Sequence, residues 1–305
     1  MNSNPYQEFI SCQKDFFYFA ENYLKIRHPS KGIIPLVLHD YQKKYLELCD
    51  EWRFLIGIKF RQGGYTTIGV LKALWKCMFI PNRTYYIAAK TNGEAAHIGK
   101  LVDNAIELFP NWLAPCLGKN TEKSKYFSTG SKLLFGDIDS MRGLSVTDVI
   151  IDEPAFIPDM DKKWTTVWEC FPNKGEREEI QSSPHTCVAI SVTNGIGNWF
   201  EKTWHKAEAG RVGFYSYRGN YLDHPDYSNP LWIEQARKDL GERGFAQEVL
   251  GQFLAPEDNS SKIDFSSLSD KKVSDLLTET LISLGSKLSE DQIRLMRIAA
   301  SRLNS

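Results

Sequence analysis

Two short stretches carry residue types and spacings that fit phosphate chemistry. The first is Lys59-Phe-Arg61-Gln62-Gly63-Gly64-Tyr65-Thr66-Thr67, which follows an apolar run from Phe54 to Ile58. A phosphate-binding loop curls backbone N–H groups around an anion in front of a helix N-terminus and adds one cation at the terminal phosphates. Gly63 and Gly64 permit the curl, and Thr66-Thr67 opens the helix. Aligned on Gly64, the usual G-x-x-x-x-G-K-[ST] spacing puts Thr66 on the Mg²⁺-binding hydroxyl. It also puts Tyr65 where the lysine belongs and Lys59 where the first glycine belongs. Lys59, at the strand end, then supplies the cation from the other side of the loop, and Arg61 offers a second, planar one. The second stretch is Asp148-Val-Ile-Ile-Asp152-Glu153, an apolar strand ending in two carboxylates. Asp152 is placed to hold Mg²⁺ and Glu153 to orient an attacking water. A solvated Asp-Glu turn is common, but about 90 residues separate the two stretches, a distance suited to intervening βα units.

Other residues are weaker candidates. Thr193 and Asn194 follow a further apolar strand, where they are placed to sense a γ-phosphate or to form a plain Asn-Gly corner. Gln42 has both a donor and an acceptor for an adenine edge, and Tyr41 a ring to pack on it. Asp223-His224-Pro-Asp226 reads as a turn rather than a metal site. Trp164, Trp168, Trp199 and Trp204 have spacings of helices packed on a body rather than of a base-stacking row. Lys119, Lys123, Lys125 and Lys132 flank a hairpin around Gly130-Ser131, as a phosphate-contact patch or a solvated face.

Strands are expected at Phe54–Ile58, Thr84–Ala89, Val146–Ile151, Thr186–Val192 and Gly213–Tyr217. Helical spacing runs through Ile68, Leu71, Leu74 and Met78, and again through Ile98, Leu101, Val102 and Ala105. Alternating apolar strands and helices imply a mostly parallel α/β sheet covered on both faces, with ligands outside the strand C-termini. Lys and Arg total 37 against 38 Asp and Glu, so any polyanion contact must be a local patch and not bulk charge. No run of 18 apolar residues and no secretory leader is seen, so a soluble intracellular chain without membrane contact is expected. Six scattered cysteines without a CxxC pair read as buried thiols. All eight Trp and thirteen Tyr precede Pro256, while 11 Ser follow it. The expected organisation is an N-terminal helical segment over 1–35, a P-loop ATPase domain over 36–255, a linker over 256–263 and a small helical tail over 264–305.

Over about residues 36–254 the chain resembles the ATPase domain of the large terminase subunit, the DNA-packaging motor of tailed phages. The resemblance rests on Leu38-x-x-Tyr41-Gln42, Arg61-Gln62-x-Gly64 and Ala88-Ala89-Lys90-Thr91. Its most specific part is Arg142-Gly143-Leu-Ser145 followed by Ile151-Asp152-Glu153-Pro-Ala155-Phe156-Ile157-Pro158, with Thr193-Asn194-Gly195 beyond. It implies a RecA-like P-loop fold and Mg²⁺-dependent ATP hydrolysis coupled to movement of double-stranded DNA. By residue, it implies that Gln42 reads adenine, Lys59 and Arg61 hold phosphates and Thr66 with Asp152 holds Mg²⁺. Glu153 is then the catalytic carboxylate, with Arg61 beside it at the reacting phosphate, and Ser191-Val192-Thr193 the coupling segment. A displaced lysine at the loop's start also occurs in that family. Implied partners are the portal protein, the small terminase subunit and further copies in a ring, with a neighbour's arginine completing the site and Arg142 a candidate. The implied place is the infected host's cytoplasm, at the procapsid portal. About 50 residues follow Phe253, too few for the family's nuclease, so no nuclease activity is expected here and a separate polypeptide would carry it. Two rivals remain open: a non-hydrolysing structural subunit with Tyr65 blocking phosphate, and a helicase-like DNA-remodelling ATPase.

Overall fold

The computed structural model describes residues 4–28, 32–171 and 185–255. The expected linker over 256–263 and helical tail over 264–305 lie outside them. Met1–Ala255 is one compact unit. Its centre is an eight-stranded sheet in the order β10-β3-β9-β8-β4-β7-β6-β5. The six parallel strands are β3 (Phe54–Ile58), β4 (Thr84–Ala88), β7 (Lys132–Gly136), β8 (Asp148–Asp152), β9 (Thr186–Ser191) and β10 (Tyr215–Arg218). On one edge, β5 (Leu117–Thr121) and β6 (Ser124–Phe127) extend the sheet antiparallel.

Every residue of β3 is buried, which is why its sequence reads as an unbroken apolar run and not an alternation. One face packs on α3 (Asp40–Glu51), α4 (Tyr65–Phe79) and α5 (Asn92–Glu107), around Tyr45, Leu71, Leu74 and Val102. The other packs on α6 (Met160–Glu169) and α7 (Trp199–Glu208), around Val149, Ile151, Phe200 and Trp204. The four tryptophans thus sit on helices against the body, although Trp168 stays 42% exposed. The last described helix, α8 (Pro230–Glu248), is interrupted at Gly241, whose φ is 66°. Five cysteines are buried and Cys116 is exposed, all as free thiols. No described helix is long and apolar enough to cross a membrane.

The N-terminal segment differs from the all-helical expectation. Helices α1 (Pro5–Lys14) and α2 (Phe16–Tyr23) give way to an antiparallel hairpin, β1 (Lys25–His28) and β2 (Gly32–Pro35). Ile26 and Ile34 are directly paired across it, and Gly32, at φ 72°, accepts the left-handed backbone there.

Candidate nucleotide cleft and catalytic cluster

The C-termini of β3, β8 and β4 open on one cleft of about 610 Å³. Its wall is the loop from Lys59 to Thr67, including Arg61, Gln62, Gly63, Gly64 and Tyr65, together with Asp152 and Glu153; Lys90, Glu94 and His97 face them. Gly64 begins α4 at φ 74°, without a side-chain cap. The helix's first amides therefore lack acceptors within it, which is the arrangement that suits an anion. Gln62 (φ 61°) and Glu153 (φ 53°) are two of the four non-glycine residues with left-handed backbone among the described residues. Such conformations persist where the surroundings over-determine them.

Four polar groups converge at the cleft floor. Lys59 Nζ lies 2.9 Å from Asp152 Oδ1, 3.0 Å from Glu153 Oε1 and 2.9 Å from Thr66 Oγ1. Thr66 in turn donates to Asp152 Oδ1 at 2.7 Å. Burial alone would lower the lysine's pKa, but Asp152 and Glu153 together outweigh it and hold the value above that of an ordinary lysine. The ammonium is therefore charged at neutral pH. Glu153 is aimed by the neighbouring strand: its Oε2 accepts from Ser191 Oγ at 2.8 Å and from Val192 N–H at 3.1 Å. A hydroxyl and a carboxylate 2.7 Å apart are hard oxygen donors that fit Mg²⁺ with water and phosphate oxygens completing its shell.

The other expected residues are placed differently. Tyr65 does not project over the loop; it is 1% exposed, and its ring packs with Tyr41, Tyr45, Phe60 and Tyr217. Gln42 and Tyr41 are buried behind the loop. The Gln42 amide donates to Gly63 O at 3.0 Å and accepts from His39 N–H at 3.1 Å, while Tyr41 donates to the same Gly63 O at 2.9 Å. The two side chains thus brace the loop, and an adenine edge would have to displace these bonds to be read by them. Thr193 is fully buried, with Oγ1 2.8 Å from Gln252 O and 3.1 Å from Gln247 O, and Asn194 donates to Ala155 O at 3.1 Å. Neither lines the cleft; Thr193 ties the end of β9 to the end of α8 and the segment after it, and Asn194 ties it to the turn after β8. Arg61 does line the cleft, but its guanidinium pairs with Glu248 at 3.0 Å. Thr67 lines it too. Asp223 and His224 belong to a turn in which Asp226 N–H donates to His224 Nδ1 at 3.2 Å.

Glu248 lies 187 residues from Arg61, with no local signal in the sequence to link them. Lys90 had one, the Ala-Ala-Lys-Thr segment, but no role followed from it.

Residues 57–269 match the family described as the terminase large subunit, T4likevirus-type, N-terminal. The chain belongs to that family. Solved large terminases share its fold. The Thermus phage P74-26 large terminase ATPase domain is 18% identical, with a TM-score of 0.51 over 72% of this chain and 94% of that one. The HK97 bacteriophage large terminase is 14% identical, with a TM-score of 0.60 over 79% of this chain and 55% of that one. A large terminase from a thermophilic bacteriophage, in complex with ADP, is 10% identical, with a TM-score of 0.54 over 72% and 54%. This terminase chain thus spans about half the length of the latter two proteins. Gln42 and Tyr41 precede the residues matched to the family.

Proposed function

We propose that this terminase chain is an Mg²⁺-dependent ATPase that drives double-stranded DNA into a procapsid. The observation that carries the proposal is the cluster of Lys59, Thr66, Asp152 and Glu153 facing the N-terminus of α4. Two carboxylates and one ammonium give it a formal charge of −1, which favours a divalent cation and, with it, a polyphosphate. Mg²⁺, when bound at Thr66 and Asp152, would neutralise charge on the reacting phosphate oxygens. The α4 amides and Lys59 would then hold the phosphates, with Arg61 joining them on leaving Glu248. Glu153, fixed by Ser191 and Val192, would orient the attacking water. The ADP complex of the thermophilic bacteriophage's large terminase supports the reading, because there a protein of the same fold holds an adenine nucleotide.

Arg142 is exposed and lies outside the cleft wall, so a part for it at the reacting phosphate requires a second copy of the chain. A ring of copies on the portal protein, with the small terminase subunit, in the host cytoplasm, completes the proposal. The dead-site rival needs Tyr65 over the phosphates, and the ring is packed away from them. ATP hydrolysis measured with duplex and with single-stranded DNA tests the reading. Stimulation by duplex, without strand separation, is expected; stimulation by single strands alone, with unwinding, would favour a helicase-like remodeller.

A further inference from the structure

Of the four lysines around the β6–β7 hairpin, the fold unites two. Lys125 is fully buried on the α5 side, paired with Asp103 at 2.8 Å. Lys123 sits in the turn at the other end of the strands. Lys119 on β5, Tyr126 on β6 and Lys132 on β7 are instead direct partners in one cross-strand row. Both ammonium groups lie against the tyrosine, 5.6 Å and 5.5 Å from its ring centroid. Both lysines are exposed, and among the described residues neither pairs with a carboxylate. The one acidic residue between positions 117 and 136, Glu122, pairs with Lys100.

We propose that this row is a contact for the phosphate backbone of duplex DNA, an inference that rests on the motor reading above. A ring between two lysines restrains both heads, and strand spacing sets their backbones about 10 Å apart. The sheet therefore presents two pre-positioned positive charges, neither paired with a carboxylate among the described residues. Because the chain's net charge is −1, a polyanion must be met at such a local feature and not by the whole surface. The row lies at the N-terminal end of β7, while the cleft is at the C-terminal ends of the parallel strands. Its contact with DNA is therefore separable from hydrolysis.

The test is duplex affinity of the full chain across a salt series, for the parent, Lys119→Gln/Lys132→Gln and Tyr126→Phe. The double variant is expected to bind at least about tenfold more weakly, and its slope of log affinity on log salt should be shallower by about 2. Its DNA-free ATP hydrolysis and melting temperature should match the parent's, and Tyr126→Phe, which keeps the ring, should bind as the parent does. An unchanged slope in the folded double variant overturns the proposal. If that variant also self-associates, the lysines only keep the edge strand β5 from pairing. A parent that hydrolyses no ATP yet shows the slope change would sink the motor reading and leave the DNA contact standing. A parent that binds no duplex at low salt would overturn the contact.

Discussion

At the cleft floor, Lys59 is surrounded by the groups a nucleotide's metal and phosphates would engage. Its ammonium holds Asp152, Glu153 and Thr66 within 3.0 Å, so both carboxylates are kept close before any ligand arrives. On the proposed mechanism the decisive detail is the aim of Glu153, which depends on Ser191 as much as on its own strand. Ser191→Ala removes one of two donors and leaves the Val192 N–H. The expected result in steady-state kinetics is a kcat about tenfold lower with KM within about twofold, the pattern of an interaction used only in the transition state. A raised KM with unchanged kcat would mean that Ser191 serves binding. The meeting of Lys59, Thr66, Asp152 and Glu153 was legible, because strand ends and a Gly-Gly turn announce them. Residue chemistry left out the bonds of Gln42, whose carboxamide, able to read adenine, already joins Gly63 and His39. Sequence shows what a side chain can bond, not what the fold has already bonded to it.

The loop and its neighbouring elements explain why the lysine sits at position 59 and not 65. Position 65 faces the aromatic layer between α3, α4 and β10, where its ring is packed among others and its hydroxyl lies 3.4 Å from that of Tyr217. Gly219 approaches that ring so closely that a Cβ there would lie 2.1 Å from the Tyr65 hydroxyl. Tyr65→Lys, which restores the usual loop pattern, therefore buries an ammonium without an acid partner. Thermal denaturation should show a loss of about 3 kcal/mol or more, and the change should not rescue Lys59→Ala. Rescue would place the side chain of residue 65 at the phosphates. Behind the loop, the end of α8 and the residues after it hold both Arg61, through Glu248, and Thr193, through Gln247 and Gln252. Glu248→Gln should release Arg61 and lower the KM for ATP about threefold, an effect absent in an Arg61→Ala background. An equal shift in both backgrounds would detach Glu248 from the phosphates. The buried strands were readable as apolar runs, whereas β5, with Gly-Lys-Asn-Thr on an exposed edge, has no periodicity to betray it. The β1–β2 hairpin is likewise short and mostly exposed, and its segment reads as a continuation of the helices before it.

Across the whole molecule, a parallel sheet sets the cleft at one end of its strands and the Lys119–Tyr126–Lys132 row at the other. This separation suits a motor in which hydrolysis and grip are distinct contacts joined by a rigid sheet. The sheet's class and helix-covered faces followed from alternating elements, but the strand order did not. That order, which puts β9 between β3 and β8, makes Ser191 the neighbour of both Lys59 and Glu153. In the proposed mechanism, a lysine at the loop's start and a carboxylate at the end of β8 work in one hydrolytic site. The direct measurement is Mg²⁺-dependent ATP turnover, with and without duplex DNA, for the parent, Lys59→Ala and Glu153→Gln. Turnover is expected in the parent, with a loss of at least about tenfold in each variant, about 1.4 kcal/mol of barrier. Parent-like turnover in folded Lys59→Ala, or none in the parent in any assembly state, would rule such a site out.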